Sequence, residues 1–184
     1  DVNNIFTVSL APVTTGLVNG ATITLSNTAS SLIPFGTLSA GTSVVAAHDI
    51  TVTTNASNGY TTTVHGASNP PLTAGGADID GFTGTNGSPI TWSAPAGSTP
   101  NVNTGFFGYT TSDSTLLTGT TDRFTSSGGN KWAGVTATPS EVAYSPASVL
   151  SGETTRIGWQ IEVNSLQPAG SYTGTILIVT TPTY

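Results

Sequence analysis

The chain has 184 residues, of which 9 are Asp or Glu and 3 are Lys or Arg, for a formal charge of −6, with two His, no Cys and no Met. So few bases offer no patch for nucleic acid, and no apolar run reaches the ~18–20 residues of a membrane-spanning helix. Groups that move protons, bind metals or attack carbonyls are scarce, so the composition points away from an enzyme and toward a protein that works by shape and assembly.

Gly and Pro interrupt every stretch, and Thr, Val, Ser and Asn are weak helix formers, so strands are the expected elements. Residues 4–14 open the series, with Phe6, Val8 and Leu10 alternating with Thr7 and Ser9. Ala21, Ile23 and Leu25 predict a shorter strand. Val44 to Thr53 predicts another, with Val44, Ile50 and Val52 on one face. The turn Asn58-Gly59 leads into Tyr60, Thr62 and Val64. Residues 66–105 are rich in Gly, Pro, Asn and Ser and read as long loops, with one strand-like patch at Ile90-Thr91-Trp92. Ser126 to Asn130 is a turn. Thr154 to Val163 alternates cleanly, with Thr155, Ile157, Trp159, Ile161 and Val163 on one face. The turn Gln167-Pro168-Ala169-Gly170 precedes Tyr172 to Thr181. There Ile176-Leu177-Ile178-Val179 is apolar on both faces and reads as a central strand.

The expectation is an all-β chain: an N-terminal strand over 1–14, then one antiparallel β-sandwich domain over 15–184, about ten strands in all. With no initiator Met, Asp1 is expected to be a processed end. The N-terminal strand has two readings. It is the first strand of its own sandwich. Alternatively, Ile5, Phe6, Val8 and Leu10 belong to a donor strand that enters a neighbouring copy, satisfying an open sheet edge with main-chain hydrogen bonds. A head-to-tail contact of that kind does not close on itself and builds a filament.

Three local patterns carry a resemblance: Phe35-Gly36-Thr37-Leu38; Asn58-Gly59-Tyr60-Thr61-Thr62-Thr63-Val64 closed by Gly66; and Pro168-Ala169-Gly170-Ser171-Tyr172-Thr173-Gly174-Thr175-Ile176 running to Tyr184. Together they resemble the spore-coat-protein-U class of secreted β-sandwiches, which includes subunits of archaic chaperone–usher pili. Members of that class often carry a disulfide, and this chain has no Cys. The resemblance implies an immunoglobulin-like sandwich, exported and polymerised by donor-strand exchange. It also implies that the N-terminal strand is the donor and that the acceptor side lies along the C-terminal strand, at Tyr172, Ile176 and Ile178.

Other residues raise other chemistries. Asp78 and Asp80, one residue apart and followed by Gly81, are candidate Ca²⁺ ligands, although no Glu follows at EF-hand distance. Otherwise they form a solvated acidic loop. His48 and His65 lie on neighbouring strands, without the third ligand a zinc site needs. Asp113, Asp122, Glu141, Glu153 and Glu162 are the carboxylates open to a hydrolytic reading. Trp92, Phe106, Phe107, Tyr109 and Trp132 are either core and interface residues or a platform for sugar rings. Asn55-Ala56-Ser57 and Asn86-Gly87-Ser88 match the N-glycosylation pattern at turn-like positions.

The expected function is a structural subunit of a secreted filament or surface layer. The chain would bind copies of itself, with no nucleic acid, no membrane span and no cofactor other than the candidate calcium. The alternative is a monomeric adhesin or carbohydrate-binding module whose partners are cell-surface glycans.

Overall fold

The computed structural model describes residues 3–184, and within them the chain is almost entirely β. In chain order the strands are β1 (Phe6–Val13), β2 (Leu17–Val18), β3 (Ala21–Thr22), β4 (Val44–Thr54), β5 (Tyr60–Gly66), β6 (Leu72–Ala74), β7 (Ala77–Gly81), β8 (Ile90–Thr91), β9 (Gly105–Thr111), β10 (Lys131–Gly134), β11 (Ser140–Ser145), β12 (Val149–Val163) and β13 (Ile176–Pro182). The one helical piece among them is a 3₁₀ turn at Ser126–Gly128. Three more strands are described than the sequence predicts. The surplus includes the short strands β6 and β7, inside the stretch read as loops, while β8 falls on the strand-like patch expected there.

The large sheet runs β1-β4-β12-β9-β10-β8, with β6 and β7 joined at β9. The small sheet is β11-β5-β13, and β2 pairs with β3 in a separate ribbon. Every pair is antiparallel except β7 with β9. The long alternating segments set this order. In β12, Ile157, Trp159, Ile161 and Val163 all enter the core between the two sheets. There they meet Tyr60 and Val64 of β5 and Val142 of β11, with Ile50 and Val52 of β4 beside them. Each fully buried aliphatic or Phe side chain contributes about 1.5–3 kcal/mol.

The opposite face of the large sheet is also covered. Val45, Ala47, Phe106 and Trp132 form a second cluster with Val13, Val18, Ile23 and Phe82. Gly158 makes room for this layer, because a Cβ there would stand 2.7 Å from Val18 Cγ1 and 2.9 Å from Thr110 Cγ2. Arg156 fastens it: its guanidinium grips Asp49 through Nε–Oδ1 at 2.7 Å and Nη2–Oδ2 at 2.8 Å, and donates to the Leu17 carbonyl. The Asp49 bond raises the Arg156 pKa further. Lys131 Nζ donates to Ser126 Oγ at 2.9 Å and ties β10 to the 3₁₀ turn.

Candidate functional site

Strand β1 lies at the rim of the large sheet and takes all of its strand pairing from β4, with Phe6 opposite Thr54, Val8 opposite Val52 and Leu10 opposite Ile50. Directly opposed residues share a face. Phe6, Val8 and Leu10 therefore point, with Ile50 and Val52, toward the side where the small sheet sits. Leu10 packs on the core. Phe6 and Val8 remain 37% and 44% exposed, and Ile5 just before them 42%. Asn55 clamps the entry to the strand. Its Oδ1 accepts from Ile5 N–H at 2.9 Å, its Nδ2 donates to the Asn3 carbonyl, and its own N–H donates to the Ile5 carbonyl.

Beside Leu10 opens an uncharged cleft of about 1270 Å³ between the sheets. Ile176, Ile178 and Tyr172 line one side, and His48, Phe107 and Trp159 the floor. The predicted donor residue Leu10 and the predicted acceptor residues thus meet at one cleft, within a single chain. Tyr172 is fixed there by donating to the Pro168 carbonyl and accepting from Gln167 Nε2.

A strap, residues 30–38, crosses this cleft. Ile33, Phe35 and Leu38 press on the core, and the Phe35 ring meets Phe107 edge-on at 5.8 Å. Its main chain is almost unbonded. Among the described residues, the one main-chain hydrogen bond inside it runs from Phe35 N–H to the Ile33 carbonyl. His48 secures the end before it, with Nε2 lying 3.0 Å from both the Ala29 carbonyl and Asn27 Nδ2. Burial holds the His48 pKa below its usual value, against the raising effects of the Ala29 bond and of Asp49. Beneath the strap, Trp159 Nε1 is buried without a hydrogen-bond partner.

The remaining candidates sit elsewhere. Asp78 and Asp80 lie on β7, where burial and the neighbouring Asp80 raise the Asp78 pKa. No group of three or more His, Cys, Asp or Glu suited to a metal ion occurs among the described residues. Phe106, Phe107, Tyr109 and Trp132 are buried, and Trp92 stacks on Phe82 at 4.4 Å while donating to Glu162 Oε2. These five build core rather than an exposed platform.

The carboxylates of Asp113, Glu141 and Glu153 are likewise engaged in fixing structure. Asp113 holds Thr115 and Tyr144, Glu141 holds Thr118 and Arg123, and Glu153 accepts from Tyr60 Oη. Asp122 contributes its main-chain carbonyl to the turn at Thr125 and Ser126. Asn86 Nδ2, the atom a glycan would join, donates to Tyr109 Oη and the Glu141 carbonyl, and Asn55 Nδ2 is spent on the N-terminal clamp.

No protein-family model, curated protein or solved structure matches the chain. The strap escaped sequence reasoning because Ser30 to Leu38 has no strand periodicity, although the apolar cluster of Leu32, Ile33, Phe35 and Leu38 was a signal of burial. The partnership of Arg123 with Asn86 and Glu141 escaped it too, since nothing local joins residues so far apart in the chain.

Proposed function

We propose that this chain is a structural, non-enzymatic subunit of an extracellular filament or surface layer, built on an immunoglobulin-like sandwich and joined head to tail through β1. In such an assembly β1 of one copy takes, in the next, the place it holds here: along β4, with Phe6, Val8 and Leu10 facing the cleft walled by Tyr172, Ile176 and Ile178. The observation that carries the reading is that β1 is held on one side only, by β4 and the Asn55 clamp, while half of its inward apolar face stays uncovered. Exchange preserves every bond to β4 and adds a link between copies, so it costs little beyond opening the hinge at residues 14–16. The lack of Cys and Met suits a molecule exposed to oxidants outside a cell.

Negative-stain microscopy with size-exclusion chromatography tests this on the native chain and on a variant lacking residues 1–12. Fibres from the native chain, absent in the deletion variant, support strand exchange. Fibres that persist in the deletion variant overturn it. The in-cis pairing of β1 favours the second reading, a monomeric adhesin or carbohydrate-binding module. A discrete particle near 18.5 kDa, together with a clean hit on a glycan array, would establish that reading instead.

A further inference from the structure

Strand β13 reads in the sequence as a central strand, apolar on both faces, yet in the fold it is an edge. It pairs with β5 along Ile176 to Pro182 and with nothing on its other side among the described residues. Its inner residues Ile176 and Ile178 pack on the core, while Leu177 and Val179 on the outer face remain 38% and 45% exposed. The strap that crosses the cleft behind it makes no main-chain hydrogen bond to it. Proteins usually guard such an edge with Lys, a bulge or an inward charge. Here no Asp, Glu, Lys or Arg occurs after Glu162, and none between Asp49 and Asp78, the stretch that holds β5.

We propose that this edge is a self-association surface, on which a second copy of the chain pairs its own β13 antiparallel about a two-fold axis at Val179. Three observations select a copy of the chain as the occupant. A row of free main-chain N–H and C=O groups is complemented by another strand, and an antiparallel edge is complementary to itself. The chain carries −6, so two copies repel over most of their surface and approach most easily along the strands that carry no charge. The symmetric register sets Leu177 against Thr181 of the second copy and Val179 against its own counterpart, an apolar and Thr ladder without a like-charge pair.

A strand added beside β13 also continues the small sheet over β1, toward the exposed Phe6 and Val8. It turns β13 into the central strand its sequence describes. This contact is isologous and closed. It is separate from exchange through β1, and would pair chains or filaments side by side.

The test uses the absence of Cys. Val179→Cys in the full chain places one thiol at the axis. Opposed Cα atoms in an antiparallel pair are about 4.5–5.5 Å apart, within disulfide reach. Mild oxidation is expected to give a covalent dimer on denaturing gels for Val179→Cys, and none for Leu150→Cys, a more accessible control on β12 at 61% exposure. Val179→Lys, at a site exposed enough to spare the fold, is expected to weaken dimerisation at least tenfold in sedimentation. Equal cross-linking of the two Cys variants, or unchanged association of Val179→Lys, overturns the proposal. Both readouts are independent of residues 1–12, so repeating the cross-link in the deletion variant separates this contact from strand exchange.

Discussion

Arg123 and Glu141 meet inside the protein, with Nη2 3.6 Å from Oε2 and side chains only 3% and 6% exposed. Neither is satisfied by the other alone. Glu141 also accepts from the main-chain N–H groups of Leu117 and Thr118, and Arg123 donates to Asn86 Oδ1 and to the carbonyls of Asn86, Thr118 and Thr120. Together they sew the long connection between β9 and β10 onto β11.

Breaking such a buried pair is far worse than never having had it, because the surviving charge stays desolvated. Arg123→Met is expected to lower stability by about 3–5 kcal/mol in urea unfolding. Adding Glu141→Gln to that variant should restore part of the loss. If the double variant is as unstable as the sum of the singles, the charge on Glu141 is not the source of the penalty.

His48 gives the fold a pH dependence with a definite sign. Burial depresses its pKa, so the folded chain takes up the proton less readily than the unfolded chain, whose His titrates near 6.5. The contribution is complete above that value and is lost progressively as the pH falls below it. Melting temperature should therefore drop between about pH 7.5 and pH 5.5. In His48→Gln the drop should shrink, even if the variant melts lower throughout. An equal drop in both would place the titrating group elsewhere.

The Asn55 clamp predicts local loosening rather than global failure. Asn55→Ala removes two side-chain hydrogen bonds at the start of β1, each worth about 0.5–1.5 kcal/mol. Amide exchange along Phe6 to Val13 should quicken by roughly tenfold, while β12 exchange stays unchanged. Uniform acceleration across both strands would mean that β1 and the large sheet open as one unit.

Gly158→Ala tests the fit of the outer layer. The added methyl meets Val18 and Thr110 below ordinary contact distance, and both neighbours are buried. Overpacking of this kind costs about 1–3 kcal/mol. Val18→Ala should recover part of it, which a backbone effect of Ala on β12 would not allow.

Much of the fold was legible because the long strands obey the two-residue period. Ile157, Trp159, Ile161 and Val163 enter the core as expected, although the other face of β12 is buried as well, Gln160 and Glu162 included. Tyr60, Thr62 and Val64 all turn inward after the Asn58-Gly59 turn. The failures have physical reasons. Ile23 and Leu25 looked like a strand, but the chain bends away after Thr22, where Thr24 and Leu25 N–H groups both turn to the Val45 carbonyl. Ile176 to Val179 read as a central strand, but β13 is an edge paired with β5 alone among the described residues, because hydropathy does not report how many strands flank a segment. The cleft was half visible. Leu10 and Trp159 announced themselves by alternation and Ile176 and Ile178 stood in an apolar run, whereas the strap depends on contacts that no local pattern encodes.

The three basic side chains have one further consequence. They are the only sites in the chain that a trypsin-like protease accepts, and each is bonded: Arg123 to Asn86, Arg156 to Asp49, Lys131 to Ser126. Two of them, Lys131 and Arg156, lie within strands whose backbone is paired on both sides, and Arg123 is buried. Cleavage must wait for the chain to open. The survival of this molecule among such proteases is then a matter of how often it unfolds.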